Sequence, residues 1–324
     1  MDTPSFADIA AAADRIAGLI RRTPLLANAA LDAQSGARVL VKAEPLQITG
    51  SFKLRGATNA LRALAPAERH RGVIAFSSGN HGQAVAAAAA AAGVAATVVM
   101  PADAPRIKTE STRAWGATII PYDRAGEDRE AITRAAAAQS GAAIIPPFDH
   151  PAVIAGQGTL GLEIAEDAGG GLDLLLVPAG GGGLVAGCAL ALAEKSPATR
   201  VYAVEPAGWD DTARSLAAGA ITGNEAGGSA LCDALMAPRP GTLTFALNRV
   251  LLAGALVVSE AEVLAAMGFA FRHLKLVVEP GGAVALAALL AGRLEVRGKR
   301  VGVVLSGGNV DPGVFARALS PPEN

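Results

Sequence analysis

Lys53 stands in the stretch ITGSFKLRGATNAL, between Phe52 and Leu54 and just after a Thr49-Gly50-Ser51 turn. An amine aimed into a cleft by such a turn can attack a carbonyl or take a proton; at a solvated helix start it is only a surface cation. A second candidate is PAGGGGLVAG, where Gly180, Gly181, Gly182 and Gly183 separate an apolar run from a helix beginning near Leu184. Their N–H groups, together with the positive end of that helix, form an anion cradle suited to a phosphate. The segment also fits a loose dinucleotide pattern, Gly181-x-Gly183-x-x-Ala186, and Glu205 stands about where a ribose-binding acid would. In SSGNHGQ, Ser77, Ser78, Asn80 and the Gly79 backbone offer small donors for a carboxylate or a phenolate oxygen. Capping the next helix would need only one of them. His81 reads as a packed, satisfied histidine. Ser306 opens the turn SGGNVD, which taken alone is an ordinary glycine turn.

Short β-branched runs ending in Gly, Ser or Pro alternate with Ala/Leu-rich stretches, and this places the candidates at strand ends. Strands are expected at Val39–Ala43, Val73–Phe76, Thr97–Met100, Thr118–Ile120, Leu174–Val177, Val201–Val204 and Val301–Leu305. Most are continuous apolar runs, as in strands covered on both faces. Helices are expected at Leu54–Ala65, Gln83–Ala92, Arg106–Trp115, Asp128–Gln139, Leu184–Lys195, Glu260–His273 and Ala283–Leu290, with an amphipathic helix at the N-terminus. Such alternation predicts an α/β fold with parallel sheets, and in such sheets ligands bind beyond the carboxyl ends of the strands. Pro146-Pro147 breaks the chain after Ile145 and marks a lobe boundary.

The composition narrows the function classes. A formal net charge of -1 over 324 residues, with no basic block, argues against nucleic-acid and anionic-membrane partners. The apolar run Ala84–Met100 is too short and too interrupted for a membrane span and reads as a helix followed by a strand. Asp2, Asp8 and Asp14 do not suit a signal peptide. Cys188 and Cys232 suggest no disulfide framework and read as small core residues in a reducing cytoplasm.

A nicotinamide enzyme has no need of Lys53 or the serine loop. A phosphorylated aldehyde cofactor uses each part: a lysine, a phosphate cradle, a donor to its phenolate and a partner for its ring nitrogen.

The segments SFKLRGA, SSGNHGQ, PAVIAGQGT (Pro151–Thr159), PAGGGGL and LSGGNVD resemble, in order and over nearly the whole chain, the fold-type-II pyridoxal-phosphate enzymes, specifically the serine/threonine dehydratase and serine racemase group. The resemblance implies a two-lobed fold like the tryptophan synthase β subunit, with a large domain from 1–65 and 150–324 and a small domain from 66–149. It implies that Lys53 forms the internal Schiff base and that Phe52 packs beside the ring. Asn80 would donate to the phenolate, Gly180 through Leu184 would bind the phosphate, and Ser306 would face the pyridine nitrogen. Ser77, Ser78, Gly79 and His81 would surround the substrate carboxylate, with Ser78 also placed to deliver a proton. Arg129 matches a racemase arginine near the substrate. EPAGWDD matches the family's divalent-cation site, giving Glu205, Asp211 and the Trp209 carbonyl as ligands for Mg²⁺ or another divalent cation; it also reads as a capped helix start.

The implied activity is deamination of L-threonine or L-serine to a 2-oxo acid and ammonia, in a cytoplasmic homodimer or larger homo-oligomer. β-Hydroxyaspartate ammonia-lyase and serine racemase are the alternatives. A nicotinamide dehydrogenase and a catalytically idle amino-acid binder are more distant ones. Cys232-Asp233-Ala234 departs from the family's Ala-Asp-Gly, and no regulatory amino-acid-binding extension is expected after the last segment.

Overall fold

The structure is a computed structural model that describes residues 3–320 apart from 78, 105, 226 and 227, and apart from the side chains of 106 and 107. Among the described residues there are ten strands: β1 Leu25–Ala27, β2 Arg38–Ala43, β3 Val73–Phe76, β4 Ala96–Pro101, β5 Thr118–Tyr122, β6 Ala143–Ile144, β7 Leu174–Pro178, β8 Arg200–Pro206, β9 Gly254–Val258 and β10 Arg300–Leu305. They form a six-stranded sheet in the order β1-β2-β10-β7-β8-β9 and a four-stranded sheet in the order β5-β4-β3-β6. Every neighbouring pair is parallel except the edge pair β1 and β2. In the large sheet β7, β8 and β9 advance outward, and β10 then returns between β2 and β7. That return is a topological switch point, where loops diverge and leave a crevice. The loops after β2, β7 and β10 carry Lys53, the glycine run and Ser306.

The seven strands expected from β-branched runs are all present, most of them one or two residues longer. β1, β6 and β9 lack that signature, being short or led by glycine. The segment expected to be one helix over Glu260–His273 is an α-helix only to Phe269; a π-turn over Ala270–Leu274 follows and closes on Lys275 in the left-handed region, at φ 59°. Helices such as Asn80–Ala92 and Pro280–Leu290 are buried nearly all round, and alanine lets them lie close to their sheets.

Three helices position the site by crossing on glycine. The Lys53–Ala63 helix meets the Pro151–Asp167 helix where Gly56 faces Gly156; a Cβ on Gly156 would stand 2.7 Å from the Cα of Gly56. The Pro151–Asp167 helix meets the Gly183–Lys195 helix in the same way, and a Cβ on Gly187 would stand 2.6 Å from the backbone N of Gly158. The glycines of SFKLRGA and PAVIAGQGT are thus contact surfaces that lock the lysine helix to the helix behind the glycine loop.

Beneath this crossing lies a buried cluster of four charges. Arg55 grips Glu44 with Nε and Nη2 at 3.0 and 2.8 Å, and Glu163 with Nη1 and Nη2 at 2.7 and 2.9 Å. Lys42 adds a 2.6 Å contact to Glu163 and donates to the carbonyl of Thr23. Two cations balance two carboxylates and nearly every donor is engaged, the condition under which buried charge is tolerated. The cluster ties β2 and the turn after it to the lysine helix and the Pro151–Asp167 helix.

Candidate active site

Lys53 is the first residue of its helix, and the turn before it is clipped to the loop after β10. Phe52 N–H donates to the carbonyl of Ser306 at 3.0 Å, Gly308 N–H to that of Gly50 at 2.8 Å, and Asn309 Nδ2 to that of Thr49 at 2.8 Å. Gly50 has φ 70°, a conformation that leaves the turn to glycine. The Lys53 amine donates to the carbonyl of Pro147 at 2.8 Å and lies 5.2 Å from the centre of the Phe52 ring. Burial pulls its pKa down to about 8, opposed by the nearby Glu279 carboxylate.

Across the cleft, the carbonyl of Gly181 turns outward to accept from Thr244 Oγ1 at 2.7 Å. Among the described residues, the N–H groups of Gly180 through Val185 have no acceptor, so a row of donors meets the start of the Gly183–Lys195 helix. Packing as well as ligand access demands these glycines. Gly182 has φ 89°, and a Cβ there would stand 2.8 Å from Asn248 Nδ2; Gly183 lies against Phe148 and Gly180 against Leu235.

The loop after β3 brings Ser77, Gly79 and Asn80 to the cleft between these groups. Asn80 Nδ2 donates to Glu279 Oε1 at 2.6 Å, and Asn80 Oδ1 accepts from Asn309 at 2.8 Å. Ser78 lies outside the described residues. His81, which lines the cleft, has its ring turned to the protein. It is buried, its Nε2 lies 2.8 Å from the carbonyl of Ile145, and burial next to Lys53 pushes its pKa down to about 3. The ring is therefore neutral, its Nε2–H is committed to that carbonyl, and its Nδ1 is a buried acceptor without a partner. Such a ring offers a carboxylate no donor, so any part His81 has toward one falls to its backbone N–H.

Ser306 is buried at the end of β10, and its hydroxyl, which lines the cleft, makes no hydrogen bond among the described residues. Arg129 opens the Arg129–Ser140 helix with its guanidinium 5.1 Å from the centre of the Phe76 ring and lines the same cleft.

Three charged residues at the cleft were missed by the reading of the sequence. Glu279 is buried at the start of the Pro280–Leu290 helix; burial and then the charge of Asp233 push its carboxyl up to about 7, and its Oε2 has no partner. Lys108 and Asp233 form an ion pair at the cleft. The Glu-Pro pair before a glycine-rich helix start was the only local signal for Glu279. In RIKTE nothing distinguishes Lys108 from a surface lysine.

Glu205, Trp209 and Asp211 lie elsewhere, at and beyond the end of β8. The Glu205 carboxylate accepts from the N–H groups of Thr212 and Ala213 at 2.9 and 2.8 Å and so caps the Asp211–Ala218 helix. Burial and then Asp211 raise its pKa to about 8. Asp211 Oδ1 accepts from Asn224 at 2.6 Å, whereas Oδ2 is buried without a partner. Trp209 N–H donates to the carbonyl of Pro206. Among the described residues no group of three or more His, Cys, Asp or Glu side chains could hold a metal ion; a cation here would rely on two carboxylates and backbone oxygen.

The residues fit pyridoxal phosphate. A low-pKa amine, a row of unengaged N–H groups at a helix start and an unengaged hydroxyl at a strand end face one cleft, and a Cβ in the cradle would close it. A family model described as "Pyridoxal-phosphate dependent enzyme" matches residues 16–307, and the chain belongs to that family. It is similar to an L-threo-3-hydroxyaspartate ammonia-lyase from a Pseudomonas species, at 45% identity over 98% of this chain and 99% of that protein. A Saccharomyces cerevisiae protein of the same name is 43% identical over 100% and 99%. The solved structure of maize serine racemase superposes with a TM-score of 0.93 at 36% identity, covering 98% of this chain and 97% of that one. The protein is a pyridoxal-phosphate-dependent enzyme of the carbon–nitrogen lyase type. Among the described residues, no helix is long and apolar enough to cross a membrane.

Proposed function

We propose that the protein eliminates water from L-threo-3-hydroxyaspartate, and that the enamine so formed tautomerises and is hydrolysed, taking one water back, to a 2-oxo dicarboxylic acid and ammonia. This reverses the order expected from the sequence, in which L-threonine or L-serine came first. Two relatives that match this chain nearly end to end carry the hydroxyaspartate name. The observation that carries the reading is Arg129, a cation on the cleft wall with no ion-pair partner among the described residues; Lys108 also lines the cleft but is held by Asp233. Serine and threonine present one carboxylate, for which the loop at Ser77 to Asn80 suffices; a second carboxylate needs a cation.

When bound, pyridoxal phosphate supplies an electron sink that acidifies the hydrogen on the substrate Cα. The chain's own residues do the rest in this reading. Lys53 would hold the cofactor and, when its amine is free, would take the Cα proton; an amine with a pKa near 8 is neutral often enough at physiological pH to act as a base. The N–H groups from Gly180 to Leu184 hold the phosphate, and Phe52 packs beside the ring. Asn80 donates to the phenolate oxygen, turning from Glu279, and the Ser306 hydroxyl faces the pyridine nitrogen. Ser77 and Gly79 receive the α-carboxylate, and Arg129 receives the β-carboxylate. A divalent cation at Glu205, Asp211 and the Trp209 carbonyl is supported only by Asp211 Oδ2, which is buried without a partner.

The test is a 2-oxo acid assay on L-threo- and erythro-3-hydroxyaspartate, L-serine and L-threonine. The proposal expects kcat/KM for the threo dicarboxylate to exceed that for serine and threonine by about tenfold or more, the usual weight of a charge-assisted contact. Faster turnover of serine or threonine would refute it.

A further inference from the structure

We propose that Lys108 is a second cation for the substrate's side-chain carboxylate, with Asp233 occupying its ammonium until the substrate arrives. The inference rests on the hydroxyaspartate reading and deepens it.

Lys108 belongs to the Arg106–Ala114 helix, which follows β4 of the four-stranded sheet. Asp233 opens the Asp233–Leu235 turn, whose Leu235 packs under Gly180 beside the glycine loop of the six-stranded sheet. Their ion pair therefore spans the cleft between the two sheets, and both residues line it. The Lys108 stem runs over Gly79: its Cδ and Nζ are each 3.6 Å from where a Cβ on Gly79 would stand. That places the ammonium next to the loop assigned to the α-carboxylate, within the span of one small dicarboxylate.

The two partners differ in how freely they can separate. The Lys108 side chain is 11% exposed, whereas that of Asp233 is 37% exposed. Asp233 can turn to water at little cost. The ammonium cannot, and a buried cation left without an anion is strongly disfavoured. A ligand that displaces Asp233 must therefore bring a carboxylate of its own. Serine and threonine have none to spare after binding at Ser77 to Asn80; hydroxyaspartate has one. An ammonium has three donors, so Lys108 can accept the exchange without leaving its place. Asp233 also accounts for part of the raised pKa of Glu279, so its departure would favour ionised Glu279 opposite Lys53.

The experiment uses the holoenzyme and its Lys108→Met, Lys108→Arg and Asp233→Asn variants. Kinetics are measured on L-threo-3-hydroxyaspartate and L-serine, with succinate and butyrate as inhibitors of serine turnover. Lys108→Met is expected to raise KM for hydroxyaspartate by about tenfold or more and that for serine by less than about threefold, with Lys108→Arg restoring most of the difference. Succinate is expected to compete with serine in the wild type, butyrate far less, and succinate inhibition is expected to fade in Lys108→Met and strengthen in Asp233→Asn. Equal losses on both substrates would make Lys108 a ligand of the α-carboxylate or a packing residue and overturn the proposal. No loss on hydroxyaspartate would leave Arg129 as the cation and overturn it too. Weaker succinate inhibition in Asp233→Asn would overturn the part given to Asp233. A wild type that ignores hydroxyaspartate but binds succinate through Lys108 would sink the proposed substrate and keep the dicarboxylate site.

Discussion

The pKa of Lys53 is the most direct consequence of the cleft's construction. An exposed lysine has a pKa of 10.5, and burial brings this one to about 8. At pH 7 the neutral amine is then about one tenth of the total, against about one part in three thousand for an ordinary lysine, a gain of roughly 300-fold. The gain can be read in protein stripped of its cofactor, by following the absorbance that develops when pyridoxal phosphate is added at a series of pH values. The rate should rise with pH, because loss of the proton creates the reacting form, and it should be half-maximal near pH 8. Glu279 opposes the shift, since its negative charge favours the ammonium. Glu279→Gln keeps the acceptor for Asn80 and removes the charge, so the midpoint should fall below that of the wild type. Glu279 itself titrates near 7, so the wild-type curve should be broader than a single ionisation and the variant's narrower. A midpoint near 10.5, or an upward shift in Glu279→Gln, would refute the claim that desolvation sets the amine's reactivity.

Gly182→Ala forces a side chain to φ 89° and against Asn248, which should lower stability by about 1–2 kcal/mol and weaken cofactor binding as well; thermal melts and a cofactor titration would show both, and an unchanged titration would count against the cradle. Arg55→Met leaves Glu44 and Glu163 buried opposite Lys42 alone and should cost about 3–5 kcal/mol in denaturant unfolding; a loss below 1 kcal/mol would mean the cluster relaxes or takes in water. Cys188 and Cys232 are buried with thiols pushed up to about 12 by desolvation, so a thiol reagent should label neither in the folded protein near neutral pH; prompt labelling would contradict their packing. Mg²⁺ should raise the thermal midpoint of the wild type and not of Asp211→Asn, and equal responses would remove Asp211 as a ligand.

The alternation of apolar runs with alanine-rich stretches was enough to place seven strands, because strands covered on both faces are written in β-branched residues wherever they occur. It also placed the four glycines, the SSGNHGQ loop and Ser306 at strand ends, since each adjoins its own strand; Lys53 opens a helix after the turns that follow β2. The short edge pieces carried no such pattern: β6 has two residues and β9 opens on Gly254. Their pairing partners, β3 and β8, supply what their own composition lacks.

Charge was the property least visible along the chain. Arg55 follows Lys53 by two residues and reads as its surface companion, but its partners stand 11 and 108 positions away. Lys108 meets Asp233 125 positions on, and Asn80 meets Glu279 199 positions on. A polar side chain's identity says what it can donate or accept, and that much the sequence determined: a lysine, a donor row and an anion-binding turn for a phosphorylated aldehyde. Whether an amine is wet or buried, a histidine charged or neutral, a carboxylate a helix cap or a ligand depends on desolvation and on neighbours brought together from distant segments. Those are properties of the closed fold, and only the tertiary structure decided them.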